Sequence, residues 1–513
     1  MDARARLALV LILALGLVLR VVGLDWGLPS PRHLASYHPD EWQITNNALL
    51  VAFGGGGLNP RFFHYPTAPI YLAALIFKLL GLVLTPSAAN LGAYCLVARL
   101  ITVACGVATL PVVVALGARL GSTRVGLLAA LLLAVMPLPV VHGHYATVDV
   151  PLTFWCALAL LAAVTLTDAS LEPRAVRRWL LTAGLAAGLA MGTKYNGVLV
   201  LGPVWLGLAV ARRGARAAVG VTALALAVFA LSSPYVFLDP AAWPQIRFEL
   251  LEHPRQTNLF RGVGPGWWFH LRWNLPTGCG GLVALAAVVG LAGWRGRATG
   301  PLWLWLGLVA LSLTRSAELF IRYWLPLTPV LALAAADSVR RLPRRTVWRF
   351  LVAALLVAGP ALRARAYTAM LAREDARDAA LAWCQANIPA GARVGEIEPT
   401  WFWSVPLRAN NRGRPTGTSA DESRWRLCSD PEAWPAEPPD WLVINDAKRR
   451  ERYHDAAGAA RWAELTRGYE RVFVCANQAV VLPGRVETGR GSRLHDWLYP
   501  LPAIEVWRRG HSK

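Results

Sequence analysis

Apolar runs long enough to cross a membrane recur along this chain, with short arginine-rich loops between them. No other feature restricts the fold as much. In hydrocarbon every backbone polar group must find an internal partner, and uninterrupted apolar runs of this length do so as helices. The 513 residues are 55% hydrophobic and 16% charged, with a mean hydropathy of +0.39. A soluble chain of this length would carry more charge and divide into several domains. The net charge of +21 imitates a nucleic-acid binder. Its basic residues, however, cluster in the loops between apolar runs, the pattern of a membrane protein with positive loops inside. Nucleic acid is therefore not an expected partner. Arginine outnumbers lysine by 48 to 4, so Lys78, Lys194, Lys448 and Lys513 stand out.

Leu7 to Leu24 follows Arg4 and Arg6 and lacks a small-residue cleavage site, so it reads as an uncleaved first span with the N-terminus inside. Pro66 to Leu84 contains Pro69 and Lys78. As a span it would send Arg119 and Arg124 outside; as an interfacial or re-entrant helix it leaves the later arginine loops inside. On that reading, spans follow over Leu100–Leu116, Val125–Val141, Val150–Leu166, Trp179–Gly192, Gly197–Val210, Ala217–Leu231, Gly278–Trp294, Pro301–Leu313, Tyr323–Ala336 and Val347–Leu362. With the first, that makes eleven. Arg174, Arg177, Arg178, Arg212, Arg213, Arg216, Arg295, Arg297, Arg340, Arg341, Arg344 and Arg345 then lie inside.

Residues 1–362 form the membrane domain, with an outer loop over 25–99 that carries juxtamembrane helices and a second, Pro- and Trp-rich, over 232–276. Residues 363–513 read as a small extracytoplasmic α/β domain. Helices are expected over Arg373–Ile388 and Arg449–Gly468, and strands over Ala392–Ile397, Trp441–Ile444, Val472–Cys475 and Ala479–Leu482. Neither a GxGxxG nor a phosphate-binding loop occurs, so the domain brings no nucleotide chemistry. Cys384, Cys428 and Cys475 would allow one disulfide there, with one thiol left over.

Ser36-Tyr37-His38-Pro39-Asp40-Glu41 lies just past the first span and is rich in chemistry. A carboxylate there can act as general base on a hydroxyl or ligate a hard cation. The plain structural alternative is a solvated loop, or Asp40 capping a helix. Asp149 sits at the outer membrane edge before Pro151, either as the N-cap of a span or as a further carboxylate of the same site. Lys194 ends a short span, and Arg322 begins one from outside. Cations there hold a polar partner or snorkel to head groups, and an arginine can grip a phosphate bidentately. Arg20, near the outer end of the first span, reads as snorkelling. His38 and His64 could hydrogen-bond a polar substrate. His142-x-His144 lacks helical ligand spacing and no HExxH occurs, so zinc is not expected.

In order and spacing, several motifs resemble the protein O-mannosyltransferase family (glycosyltransferase family 39) and bacterial relatives such as the lipid A aminoarabinose transferase. They are His38-Pro39-Asp40-Glu41, His64-Tyr65-Pro66, Ala98-Arg99-Leu100, Tyr145 to Leu152, Gly192-Thr193-Lys194-Tyr195 and Arg322-Tyr323-Trp324-Leu325-Pro326. The resemblance covers roughly residues 7 to 362. It implies a GT-C fold, a polyprenyl-phosphate sugar donor, an acceptor on the outer face and inversion at the anomeric carbon. By that resemblance Asp40 is the catalytic base, helped by Glu41 and Asp149. Lys194, Arg322 and Tyr323 hold the donor phosphate, and His38, His64 and Tyr65 contact substrate. WWDxG is absent, since Phe269 follows Trp267-Trp268, which disfavours transfer of a whole oligosaccharide to asparagine. The luminal domain of the eukaryotic members has no counterpart here, so the acceptor does not carry over.

The sequence thus points to a glycosyltransferase of a bacterial inner membrane, working among membrane lipids. It would pass one sugar to a hydroxyl of a lipid, glycan or protein at the periplasmic face. No cofactor is implied, although paired carboxylates could take magnesium or manganese. The rival reading is a transporter or flippase of a polar or lipid-linked solute; it predicts repeated halves, which the sequence lacks.

Overall fold

The computed structural model describes residues 1–255, 264–343, 346–399, 401–408, 424–489 and 495–510. Arg344 and Arg345, counted above among the inner arginines, and residues 256–263 of the long loop lie outside the described residues. The chain forms two compact units.

The first unit comprises residues 1–22, 44–80 and 97–368. All or most of helices α1 (Ala3–Val21), α2 (Pro39–Phe53), α3 (Ala68–Leu80), α4 (Leu91–Arg119), α5 (Thr123–Val135), α6 (Pro137–Val141), α7 (Asp149–Leu166), α8 (Pro173–Thr193), α9 (Leu201–Val210) and α10 (Ala215–Ser232) belong to it, the first turns of α2 and α4 being assigned to the second unit. Short helices α11 (Tyr235–Leu238), α12 (Ala242–Arg247), α13 (Gly266–Phe269) and α14 (Leu275–Cys279) follow, then α15 (Gly281–Ala292), α16 (Gly300–Arg315), α17 (Thr328–Arg341) and α18 (Thr346–Leu371). Among the described residues four helices are long and apolar enough to cross a membrane, or up to six if each of two bent pairs is one span.

This count is lower than eleven for physical reasons. Arg4, Arg6 and Arg20 all fall within α1, and α8 opens on Arg174, Arg177 and Arg178. α9, α16 and α17 have only 10, 16 and 14 residues. α3, expected to be interfacial and not among the eleven, has 13 residues and is about 20 Å long at 1.5 Å per residue, too short for a core of about 30 Å.

Small residues bring the helices together, as they do where lipid offers no hydrophobic drive for association. α8 packs on α7 and α10, α17 on α5 and α15, and α16 on α9. At Gly290 an added Cβ would strike the Ala334 carbonyl, so only glycine lets α15 approach α17 this closely. Gly280 takes φ +92°, where the chain bends by 107° between Gly266–Cys279 and Gly281–Ala292.

Arg20 does not snorkel. It is wholly buried and donates to the Gly16, Ala134 and Leu133 carbonyls at 2.9, 3.3 and 3.5 Å. Pro137, which opens α6, has no N–H to offer the Leu133 carbonyl four residues back. The Arg20 guanidinium supplies the missing donor and ties α1 to the end of α5.

The second unit gathers residues 23–43 and 81–96 with 369–510. Its sheet runs β2 (Arg426–Cys428), β1 (Arg393–Gly395), β3 (Trp441–Asn445), β7 (Ala503–Arg509), β4 (Tyr469–Ala476). β1 pairs in parallel with β2 and β3, whereas β7 runs antiparallel to β3 and β4. β5 (Gln478–Leu482) and β6 (Arg485–Thr488) form a separate hairpin. The strand period of two sorts the core. Val394, Val443 and Val506 face Ala380, Leu381 and Cys384 of α19 (Ala376–Asn387), and Leu442 and Ile444 face Trp434, Trp462 and Leu465. The helix expected over Arg449–Gly468 is two, α20 (Asp446–Arg452) and α21 (Ala456–Leu465). The break falls where Asp455 caps α21 by accepting from Gly458 N. Cys384, Cys428 and Cys475 are free thiols; Cys475 Sγ donates to the Ala376 carbonyl.

Arg377 is the electrostatic centre of this unit. Wholly buried, it donates to both Asp375 oxygens at 2.7 and 2.8 Å and to the Phe402 and Tyr499 carbonyls. Its guanidinium stacks 3.7 Å from the Tyr37 ring centre. Burial alone would raise the Asp375 carboxyl; the Arg377 charge outweighs it and holds that group below the usual carboxylate range.

Candidate functional site

Three expected residues meet in the first unit. Asp149 opens α7 but does not cap it, and no side-chain cap bond forms there. Instead its Oδ1 accepts from Lys194 Nζ at 2.8 Å, and its Oδ2 lies 3.8 Å from Arg322 Nε. The side chains of Asp149, Arg322 and Lys194 are 3, 7 and 17% exposed. Lys194 terminates α8 in extended geometry, which turns its side chain off the helix and over the Tyr323 ring, 4.7 Å from the centre. An arrangement of two cations on one buried carboxylate is not snorkelling. It holds a net positive charge in fixed orientation, the electrostatic complement of a phosphate.

Arg322 and Tyr323 ride on a 3-10 turn, Ile321–Leu327. Trp305 Nε1 donates to the Pro326 carbonyl at 3.0 Å, and Trp324 Nε1 to His270 Nδ1 at 3.0 Å. Asn274 Nδ2 sits 2.7 Å from that same ring nitrogen and donates to the Leu319 carbonyl. The sequence reading missed His270 and Asn274. Their spacing of four on one helical segment was the available signal, with no chemistry of its own to draw attention.

Beside Lys194 lies a cavity of about 200 Å³ lined by His64, Tyr65, Tyr195, Glu249, Trp305 and Tyr323 among others. The expected His64 and Tyr65 thus share a cavity with Lys194 and Tyr323. His64 Nδ1 is 2.6 Å from Glu249 Oε1, Phe63 N donates to Gln245, and Asn59 Nδ2 to Asp239. These bonds lay the chain before α3 against the 239–249 segment. Apolar side chains such as Leu152, Val309 and Leu313 complete the wall. A charged head and an apolar wall suit an amphiphile.

His38, Asp40 and Glu41 belong to the second unit. Pro39 begins α2, and Asp40 and Glu41 occupy its first turn, where the helix dipole favours anions. Asp40 lies inside the helix, one residue past Pro39, and its own N–H donates to His38 Nδ1 at 3.3 Å. Asp40 is half-buried. Glu41 is wholly buried and accepts from Ser36 Oγ at 2.6 Å, which folds the loop onto the helix start. His38 is buried too, edge-on to Tyr499 with ring centres 4.9 Å apart.

Among the described residues no group of three or more His, Cys, Asp or Glu is placed to hold a metal ion.

The sequence profile described as dolichyl-phosphate-mannose-protein mannosyltransferase matches residues 83–216. This stretch carries Asp149 and Lys194, and the match bears out the resemblance read from the motifs. ArnT from Cupriavidus metallidurans, solved bound to undecaprenyl phosphate, superposes with a TM-score of 0.56 at 16% identity, covering 98% of each chain. The chain has the GT-C fold. The archaeal oligosaccharyltransferase AglB from Archaeoglobus fulgidus, in complex with an inhibitory peptide and a dolichol-phosphate, superposes at 0.55 with 12% identity, over 92% of this chain and 73% of that one. No curated protein matches the sequence.

Proposed function

We propose that this protein is an inverting membrane glycosyltransferase that moves one sugar from a polyprenyl-phosphate carrier to a hydroxyl. The observation that carries the reading is the buried Asp149–Lys194–Arg322 cluster at an amphiphilic cavity, on a fold whose solved examples bind undecaprenyl and dolichol phosphates. Lys194 and Arg322 grip the donor phosphate, with Tyr323 packed against both cations, and Asp149 holds them apart at fixed positions. His64 and Tyr65 contact the substrate from the cavity wall.

The acceptor oxygen attacks the anomeric carbon from the face opposite the phosphate. The carbon–oxygen bond to the phosphate breaks, and polyprenyl phosphate leaves as an anion stabilised by the two cations. Asp40 takes the acceptor proton as general base. Glu41 and His38, both buried, set the position of Asp40 from the loop and the start of α2. Asp149 carries two cationic neighbours, so the adjacent carboxylates Asp40 and Glu41 are the groups that would take magnesium or manganese, and the reaction is written without a metal.

In the membrane we place the N-terminus inside, eleven crossings that count the short and bent helices, and residues 363–513 on the outer face of a bacterial inner membrane. The acceptor is a lipid, glycan or protein there.

The test is sugar transfer in proteoliposomes, using a panel of polyprenyl-phosphate sugars with a lipid extract of the source membrane. Wild type should incorporate sugar covalently and release polyprenyl phosphate, and Asp40→Asn should lose turnover while keeping its thermal midpoint. Equal turnover in both would remove Asp40 from the base role. Lipid-linked solute crossing the bilayer without a covalent product would replace the enzyme by a flippase.

A further inference from the structure

A second, larger cavity of about 320 Å³ lies within the first unit, away from the site above. Ala298 and Thr299, which lead into α16, line it; Ser312 and Leu313 of the last turn of α16 line the Lys194 cavity. The sixteen residues of α16 separate the two by about 24 Å at 1.5 Å per residue. On the charge-asymmetry reading this is the inner end of the bundle.

Four arginines, Arg119, Arg295, Arg340 and Arg341, line this cavity with one carboxylate, Asp337. Asp337 accepts from Arg340 Nε at 2.6 Å, from Arg341 Nε at 2.9 Å and from Trp294 Nε1 at 3.2 Å. It thereby orients two guanidiniums while neutralising a single charge. Arg341 Nη2 also donates to the Gly293 carbonyl at 2.8 Å, and a Cβ at Gly293 would overlap that guanidinium. Loop 293–299 is therefore shaped around Arg341. Arg119 is held over the Trp179 ring, 5.8 Å from its centre.

The surroundings are those of a lipid site. Arg349 donates to the Arg340 and Leu342 carbonyls, which brings the start of α18 to the cavity. Val347 and Trp348 there, and Val289 one turn before Gly293, are more than half exposed, and Trp303 is 42% exposed. Interfacial tryptophans and outward aliphatic side chains thus flank a cluster of arginines.

We propose that this cavity holds the phosphate of an anionic lipid head group from the inner leaflet. Guanidiniums suit phosphate oxygens bidentately, and basic pockets between membrane helices take anionic head groups. The exposed faces of α15 and α18 accept the acyl chains, which a free phosphate would leave uncovered.

Native mass spectrometry of the delipidated full-length protein tests this, with phosphatidylglycerol, phosphatidylcholine or inorganic phosphate added. Phosphatidylglycerol should be retained at least about tenfold better than phosphatidylcholine. The double variant Arg119→Gln/Arg295→Gln removes two charges that do not bond Asp337. It should lower that retention roughly 30-fold with an unchanged thermal midpoint, and Arg119→Lys/Arg295→Lys should restore most of it. Equal retention of the two lipids, or full retention by the glutamine variant, would overturn the proposal. Complete displacement of phosphatidylglycerol by millimolar inorganic phosphate would overturn the lipid and leave a free-anion site.

Discussion

Replacing Lys194 by methionine tests whether the Asp149–Lys194 pair serves the donor or only the fold. At an effective dielectric of about 20, attraction at the observed 2.8 Å is roughly 6 kcal/mol. The Arg322 Nε to Asp149 Oδ2 attraction at 3.8 Å is roughly 4 kcal/mol. Lys194→Met therefore removes more than half of the attraction on a carboxylate that is 3% exposed. Breaking a buried pair costs about 3–5 kcal/mol, and the remaining Arg322 contact puts the expected loss near 3 kcal/mol. Thermal unfolding in detergent should read it as a clear drop in midpoint.

Asp149→Asn added to Lys194→Met discharges the orphaned carboxylate at nearly constant shape, so part of the lost stability should return, the Arg322 attraction being given up with the charge. Donor binding should not return, because a charge-assisted contact to phosphate, worth about 1.5–3 kcal/mol, is still missing. The donor KM of the double variant should thus remain about 10- to 100-fold above wild type. The reasoning is refuted if the double variant recovers wild-type donor saturation along with stability. It is refuted equally if Lys194→Met costs less than about 1 kcal/mol.

Arg20→Met should destabilise the protein by about 3 kcal/mol, because the buried Leu133 carbonyl then loses its donor. A thermal shift below about 1 kcal/mol would assign that carbonyl another partner. Arg377→Met leaves the Asp375 carboxylate buried and should cost about 3–5 kcal/mol; hydrogen exchange should show the loss in residues 369–510 first. Burial raises the Glu318 carboxyl to about 7, against the opposing Arg322 charge. The folded state then keeps a proton that the unfolded chain gives up near its ordinary pKa of 4.5, so stability falls as pH rises from about 4.5 to 7. Glu318→Gln should flatten that slope and raise the midpoint at pH 8; an unchanged slope would count against it. Chelation by EDTA should leave transfer unaffected, and loss of turnover restored by added magnesium or manganese would contradict the metal-free reaction.

Much of this protein follows from local pattern. Long apolar runs fix helices because a backbone in lipid has no water to bond. Arginine clusters carry the expectation of which loops stay inside. Alternation in Trp441–Ile444 fixes a strand whose residues serve two cores. Motif order sufficed to suggest the fold. Proline, glycine and caps can be read one at a time, so breaks such as that at Asp455 were accessible, though the sequence reading ran one helix through it.

What needed the tertiary structure was every outcome that depends on a partner distant in sequence. Lys194 could have snorkelled, and Asp149 could have capped its helix; they do neither, because a residue 45 positions away lies within hydrogen-bond reach. Arg20 looked like a snorkelling side chain until the carbonyl stranded by Pro137 was found against it. Asp40 and Glu41 are adjacent and alike in sequence, yet packing buries one against Ser36 and leaves the other half-exposed. The four arginines of the second cavity come from three separate parts of the chain, the end of α4, the loop before α16 and the end of α17, each of which alone reads only as a topology signal. A side chain's charge is local information, but what neutralises it is decided by packing.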